Sequence, residues 1–214
     1  MFSKHSIFKT GVFFFWIAGL ALTLIIPKLE LHRHLNTYHS TFLDSIAKYS
    51  THVGDGLFFS IVIIVFLFIS LRTSILLLIS FLISSLIAQF FKKIVFPDMM
   101  RPMHYFQQDS NFYKIENFTY HFNNSFPSGH ATSCFALFTI LALTYSNNKF
   151  FKIACLVAAI LFSFTRVYLS QHFFQDLLAG SIIGVFVAQF VFKYLNPLLG
   201  KWDYSVLKKK PIIS

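Results

Sequence analysis

Six stretches of this sequence, at roughly 8–27, 53–71, 73–93, 128–146, 150–169 and 173–195, are almost uninterrupted apolar runs. About 20 such residues cross the ~30 Å hydrocarbon core of a bilayer as a helix. Only 12% of the 214 residues are charged while 56% are hydrophobic, too few charges to cover a soluble domain of this size. The expectation is an all-α integral membrane bundle of six transmembrane helices, a single domain over 1–214, with "LRTS" as a tight hairpin between the second and third spans. The first run follows Lys4 and Lys9 as a secretory signal would, but it has no small-residue cleavage site and reads as a retained span. Cys134 and Cys155 lie inside apolar runs and read as small buried hydrophobes, without disulfide or metal-ligand spacing.

The net charge of +10 has a direction. Six spans put both termini on one side, with Lys4, Lys9, Arg72, Lys149, Lys152, Lys193, Lys201, Lys208, Lys209 and Lys210 opposed only by Asp203. Of 18 basic and 8 acidic residues, 18 − 10 leaves eight basic and 8 − 1 leaves seven acidic for the other side. The positive-inside rule then makes both termini cytoplasmic, in a cell membrane. The basic tail, 196–214 with its "KKK", reads as an orientation signal against anionic headgroups, and nucleic acid is not expected as a partner. Within the 28–55 connection, "STFLDSIAKYS" places Phe42, Ile46 and Tyr49 on one helical stripe, with Thr41 and Asp44 at capping-box spacing. An amphipathic helix at the outer interface fits that pattern, and a plain polar loop is the alternative. His32, His34, His39 and His52 lack ligand spacing and read as interfacial.

The outer ends of the spans gather the chemistry. The third span ends "FFKKIVFPDMMRP", with Lys92, Lys93 and Arg101; the fourth opens "PSGH", with Ser128, Gly129 and His130. The fifth closes on Arg166, and the sixth opens "HFFQD", with His172 and Asp176. Arginine and lysine supply charge and forked donors to phosphate oxygens. Ser128 and Gly129 would begin a helix whose free N–H groups and dipole favour an anion, Pro127 suits that start, and glycine admits a bulky ligand. Four apart on a helix, His172 and Asp176 share a face, so the carboxylate can fix one imidazole nitrogen while the other attacks phosphorus. His130 would protonate the departing oxygen and later activate water. Singly, each group has an ordinary alternative: a snorkelling Lys or Arg, or a surface pair worth a few tenths of a kcal/mol. Their convergence on one face of a charge-poor chain is what points to a site.

As a set, "KIVFPDMMRP", "PSGH" and "TRVYLSQHFFQD" resemble the three motifs of the type-2 phosphatidic acid phosphatase superfamily, Lys-x6-Arg-Pro, Pro-Ser-Gly-His and Ser-Arg-x5-His-x3-Asp. The motif region spans 93–176, and the six-span frame resembles the family's bacterial members. The resemblance implies His172 as a nucleophile forming a phosphohistidine, Asp176 as its support, and His130 as general acid and then base. It implies Lys93, Arg101, Ser128, Gly129 and Arg166 as phosphate-binding residues, with no metal and no cofactor. Two departures stand out: Thr165 replaces the serine before the arginine, and seven residues rather than six separate Lys93 from Arg101, or eight from Lys92. Lys93 is the preferred lysine.

The implied activity is metal-independent hydrolysis of a phosphorylated lipid on the outer, periplasmic or extracellular, face. Phosphatidic acid, phosphatidylglycerol phosphate, a polyprenyl diphosphate and a lipid A type phosphate all remain candidate substrates, and the oligomeric state is open. A lipid phosphotransferase using the same site, or a non-enzymatic anion-binding membrane protein, is the alternative. The span interiors hold almost no charge, which counts against a transport path.

Overall fold

A computed structural model describes residues 6–145 and 147–202, and the tail lysines 208–210 lie outside that set. In chain order the helices are α1 (Ser6–Ile25), α2 (Lys28–Asn36), α3 (Thr41–Ser50), α4 (Gly56–Ile69), α5 (Leu71–Phe90), α6 (Pro102–Phe106), α7 (Gly129–Thr144), α8 (Lys149–Tyr168) and α9 (Phe174–Leu198). A 3-10 turn, Thr51–Gly54, precedes α4, and a π turn, Phe91–Val95, prolongs α5. Among the described residues no strand occurs.

All six apolar segments are helical, but they are not equally long. Among the described residues four helices are long and apolar enough to cross a bilayer, within 7–25, 71–95, 149–168 and 174–198. The 14 residues of α4 and the 16 of α7 correspond to only about 21 Å and 24 Å at 1.5 Å per residue. With α3 and its 3-10 turn, α4 forms a fifth candidate, bent by 57° at the break. Helix α7 is packed by α5, α8 and α9 and buries most of its side chains, so neighbouring protein rather than lipid surrounds it. Exposed Phe14, Leu24, Ile64, Leu86, Leu161 and Phe190 on the surrounding helices form an outer surface suited to lipid. The hairpin between α4 and α5 is tighter than "LRTS" suggests: Ser70 alone breaks the helix, and its Oγ accepts from Thr73 N at 3.3 Å.

Two glycines set how closely α9 approaches α7. A Cβ at Gly180 would lie 2.4 Å from Ser128 O, and one at Gly184 2.4 Å from Thr132 O. "GSIIG" is thus a small-xxx-small contact that lets two backbones touch.

The 28–55 connection is helical twice over, as α2 and α3. Phe42, Ile46 and Tyr49 are exposed on α3, as an interfacial helix requires. Its cap differs from expectation, because Ser40 Oγ, one residue earlier, accepts from Leu43 N. That frees Asp44 to be buried, accepting from Tyr168 Oη at 2.6 Å and Tyr113 Oη at 2.7 Å. His32 and His39 are not interfacial either. His32 is 2% exposed among the rings of Phe106, Phe112 and Phe173, and His39 packs on Tyr113 and Tyr168. The 103–126 loop covers them, a long-range contact that local spacing does not encode.

Candidate functional site

The site is assembled where the ends of α5, α7, α8 and α9 meet the turn 51–55 and the loop 96–128. Helix α8 ends at Tyr168, and Ser170 takes a left-handed φ of 52°. That turn lets Gln171 N and His172 N both donate to Arg166 O, at 2.9 and 3.1 Å. One residue therefore supplies a guanidinium to the cluster and anchors the backbone of His172. Burial in this turn, followed by the charges of Arg101, Lys92 and Arg166, holds His172 well below the usual imidazole range. That shift favours the neutral imidazole, the form with a lone pair.

His172 precedes α9 rather than riding on it, which corrects the same-face expectation. Asp176 lies in the helix's first turn and reaches backward: Oδ2 stands 3.3 Å from His172 Nδ1 and accepts from Phe173 N at 2.9 Å. Ser125 Oγ donates to the same oxygen at 2.5 Å. A carboxylate in that turn also complements the helix dipole. Its bond to Nδ1 leaves Nε2 of His172 as the free nitrogen.

Helix α7 starts one residue later than expected. Ser128 is the N-cap, its Oγ accepting from Ala131 N at 3.4 Å, and Pro127 lies outside the helix after a cis peptide bond with Phe126. Ser128 N donates to Asp176 O at 3.0 Å, which ties this helix end to that of α9. A Cβ built on Gly129 meets nothing within 4 Å, so open space adjoins the positive end of the helix. His130 Nε2 stands 2.6 Å from Asp55 Oδ1.

The cations come from three elements. Arg101 donates from Nε to Asn123 O and from Nη1 to the backbone and side-chain oxygens of Gln171. Burial lowers its pKa, and the nearby Asp176 carboxylate offsets part of that. Arg166 donates from Nη1 to Thr51 Oγ1 at 3.2 Å, while its buried Nε has no hydrogen-bond partner. The lysine facing the cluster is Lys92, within electrostatic reach of Arg101, Arg166 and Asp176; Lys93 is exposed. The reason is the π turn, closed by Phe96 N to Phe91 O at 2.8 Å, which adds a residue to the helix end and shifts the phase of the two lysines. Sequence reasoning missed Asp55, Ser125, Gln171 and Thr51. The alternation of "THVGD" with a following apolar run was the available signal for two of them, although it reads equally as a helix start.

A cavity of about 200 Å³ reaches Asp176 and Ser125 between Phe96, Met99, Phe126 and Phe173. A larger one of about 740 Å³ lies elsewhere on the bundle, between Ile83, Leu143, Val187 and Phe190, and holds none of these groups.

Fold and site together define a helical membrane protein with two histidine–carboxylate pairs set near a buried Arg166 and the half-buried Arg101 and Lys92. The profile of the PAP2 superfamily matches residues 73–198, more than half of the chain, and the chain belongs to that superfamily. A lipid A 1-phosphatase of Rhizobium johnstonii is 30% identical over 170 residues, 79% of this chain and 57% of the relative. Lipid phosphate phosphatase 1 of Arabidopsis thaliana is 36% identical over 87 residues, 35% of this chain and 27% of the relative. The chain thus spans less than two thirds of these curated relatives. In fold it is similar to LpxE of Aquifex aeolicus, with a TM-score of 0.66 at 21% identity over 79% of this chain and 96% of that one. It is also similar to the PAP2 type phosphatidylglycerolphosphate phosphatase of Bacillus subtilis, with a TM-score of 0.65 at 19% identity over 88% and 96%.

Proposed function

We propose that this chain is a metal-independent phosphatase that hydrolyses the phosphate of a membrane lipid through a phosphohistidine at His172. The observation that carries the reading is the buried His172–Asp176 pair, with Arg101, Lys92, Arg166 and His130 all within electrostatic reach of His172. Nε2 attacks phosphorus, the ester bond to the lipid oxygen breaks, and His130 supplies that oxygen with a proton. Water then bonds to phosphorus as His130 takes its proton, and the P–N bond breaks to release phosphate. Arg101, Arg166, Lys92 and the α7 N-terminus offset the charge on the transferring group. Six crossings, with cytoplasmic termini and the site on the outer face, belong to this reading. The names of the curated relatives and the apolar walls of the 200 Å³ cavity support a lipid substrate, with lipid A, phosphatidylglycerol phosphate, phosphatidic acid and polyprenyl diphosphate as the panel.

Among the described residues no three His, Cys, Asp or Glu side chains gather to hold a metal ion, and cations already surround His172. Phosphate release by detergent-solubilised protein is expected to be unchanged by EDTA; loss of activity restored by a divalent ion would overturn the metal-free mechanism. The lysine assignment is tested in the same assay. A charged hydrogen bond contributes about 1.5–3 kcal/mol, so Lys92→Ala is expected to lower kcat/KM about 10- to 100-fold. Lys93→Ala should stay within about 2-fold, as expected of an exposed side chain. The reverse ranking would restore Lys93.

A further inference from the structure

Residues 51–55, "THVGD", stand outside the three motifs, yet they form one wall of the site. The 3-10 turn packs against both α7 and α8. Thr51 accepts the Arg166 bond. At Gly54 an added Cβ would lie 2.9 Å from His130 Cβ, 3.0 Å from His130 Cδ2 and 3.2 Å from Cys134 Sγ. Only glycine lets the turn approach the imidazole this closely. Asp55 follows, with Oδ1 2.6 Å from His130 Nε2 and Oδ2 2.7 Å from His52 Nδ1. Asp55 occupies the N-cap position of α4 but makes no side-chain cap bond. Its carboxylate is therefore committed to the two histidines rather than to the helix it precedes.

Resting on the phosphatase reading above, we propose that Asp55 is the positioning residue of His130, the counterpart of Asp176 for His172. Held at Nε2, the ring presents Nδ1 to the lipid oxygen. As the P–O bond breaks, the proton on Nδ1 moves to that oxygen and leaves His130 neutral. In the second half-reaction Nδ1 takes a proton from the water that bonds to phosphorus, and the P–N bond to His172 breaks. Asp55 stabilises the imidazolium present before the first transfer and after the second. His52, largely exposed, holds the other carboxylate oxygen and fixes the plane of the group.

A leaving group that needs no proton separates this role from a structural one. The measurement is kcat/KM on a lipid monophosphate and on p-nitrophenyl phosphate, for wild type, Asp55→Asn, His130→Ala and the double variant. Asp55→Asn is expected to lose about 100-fold on the lipid but less than about 5-fold on the aryl phosphate, whose leaving group departs unprotonated. In the His130→Ala background it is expected to cost nothing further, because a positioning residue has then lost what it positions. Equal losses on both substrates, or losses that add to those of His130→Ala, would overturn the proposal. Should Asp55→Asn fail to fold, Asp55→Glu, which keeps the carboxylate but displaces it, carries the test through the same ratio of rates. Wild-type inactivity on every substrate would instead sink the phosphatase reading itself.

Discussion

Replacing His172 by alanine is expected to reduce phosphate release by about 10⁴-fold or more, the scale on which enzymes lose rate when a covalent nucleophile is removed. On the proposed mechanism the loss should fall on kcat, because the variant keeps Arg101, Arg166 and Lys92, the groups proposed to hold the phosphate. The variant should fold. Asp176 keeps its bonds from Ser125 Oγ and Phe173 N, so no carboxylate is left bare, and the truncation costs about 1–3 kcal/mol. Rapid quenching of wild type with labelled substrate should trap a phosphoenzyme that is acid-labile and alkali-stable, as a phosphoramidate is, and His172→Ala should trap none. A folded variant retaining a substantial share of the wild-type rate would remove His172 from the nucleophile's role and leave the cation cluster as a binding site alone.

The residues that sequence spacing brought together are those whose contacts are short in sequence or fixed by a helix end. Arg166, His172 and Asp176 lie within one helix-to-helix turn, and "PSGH" caps α7, so local geometry settles both. The lysine was not settled, since a π turn changes which of two adjacent residues faces inward, and no local propensity marks that turn. Asp55 escaped for a different reason: its partner His130 lies in another helix, and an Asp before an apolar run looks like an ordinary cap. That the apolar segments are helical was legible, but how many of them are long enough to cross a bilayer was not. In α4 and α7 the apolar run outlasts the helix, because hydrophobicity reports the surroundings of a side chain and not where the backbone turns. The burial of His32 and His39 depends on the 103–126 loop folding back over α2 and α3, which no periodicity in either segment announces.

Gly180→Ala is expected to damage both stability and activity, and its contrast with Gly129→Ala tests how the site is held. At Gly180 the new carbon would lie 2.4 Å from Ser128 O, 3.0 Å from Ala131 Cβ and 3.1 Å from Thr132 Oγ1. A backbone oxygen cannot rotate away, so α7 and α9 must separate by about 1 Å to restore ordinary contact. Overpacking of this kind costs about 1–3 kcal/mol. The displaced atom belongs to Ser128, whose N–H is bonded to Asp176 O, so the separation moves "PSGH" away from His172 and Asp176 together. A misplacement of about 1 Å at a reacting centre is worth about 10²-fold in rate. At Gly129 the added methyl enters open space, so the melting temperature in detergent should hold, while the methyl occupies room beside the α7 N-terminus where the phosphate would sit. Gly129→Ala should therefore raise KM without lowering the melting temperature, and Gly180→Ala should lower both the melting temperature and kcat. If Gly180→Ala melted like wild type and kept its rate, the close approach of α9 to α7 would not be what aligns the two halves of the site.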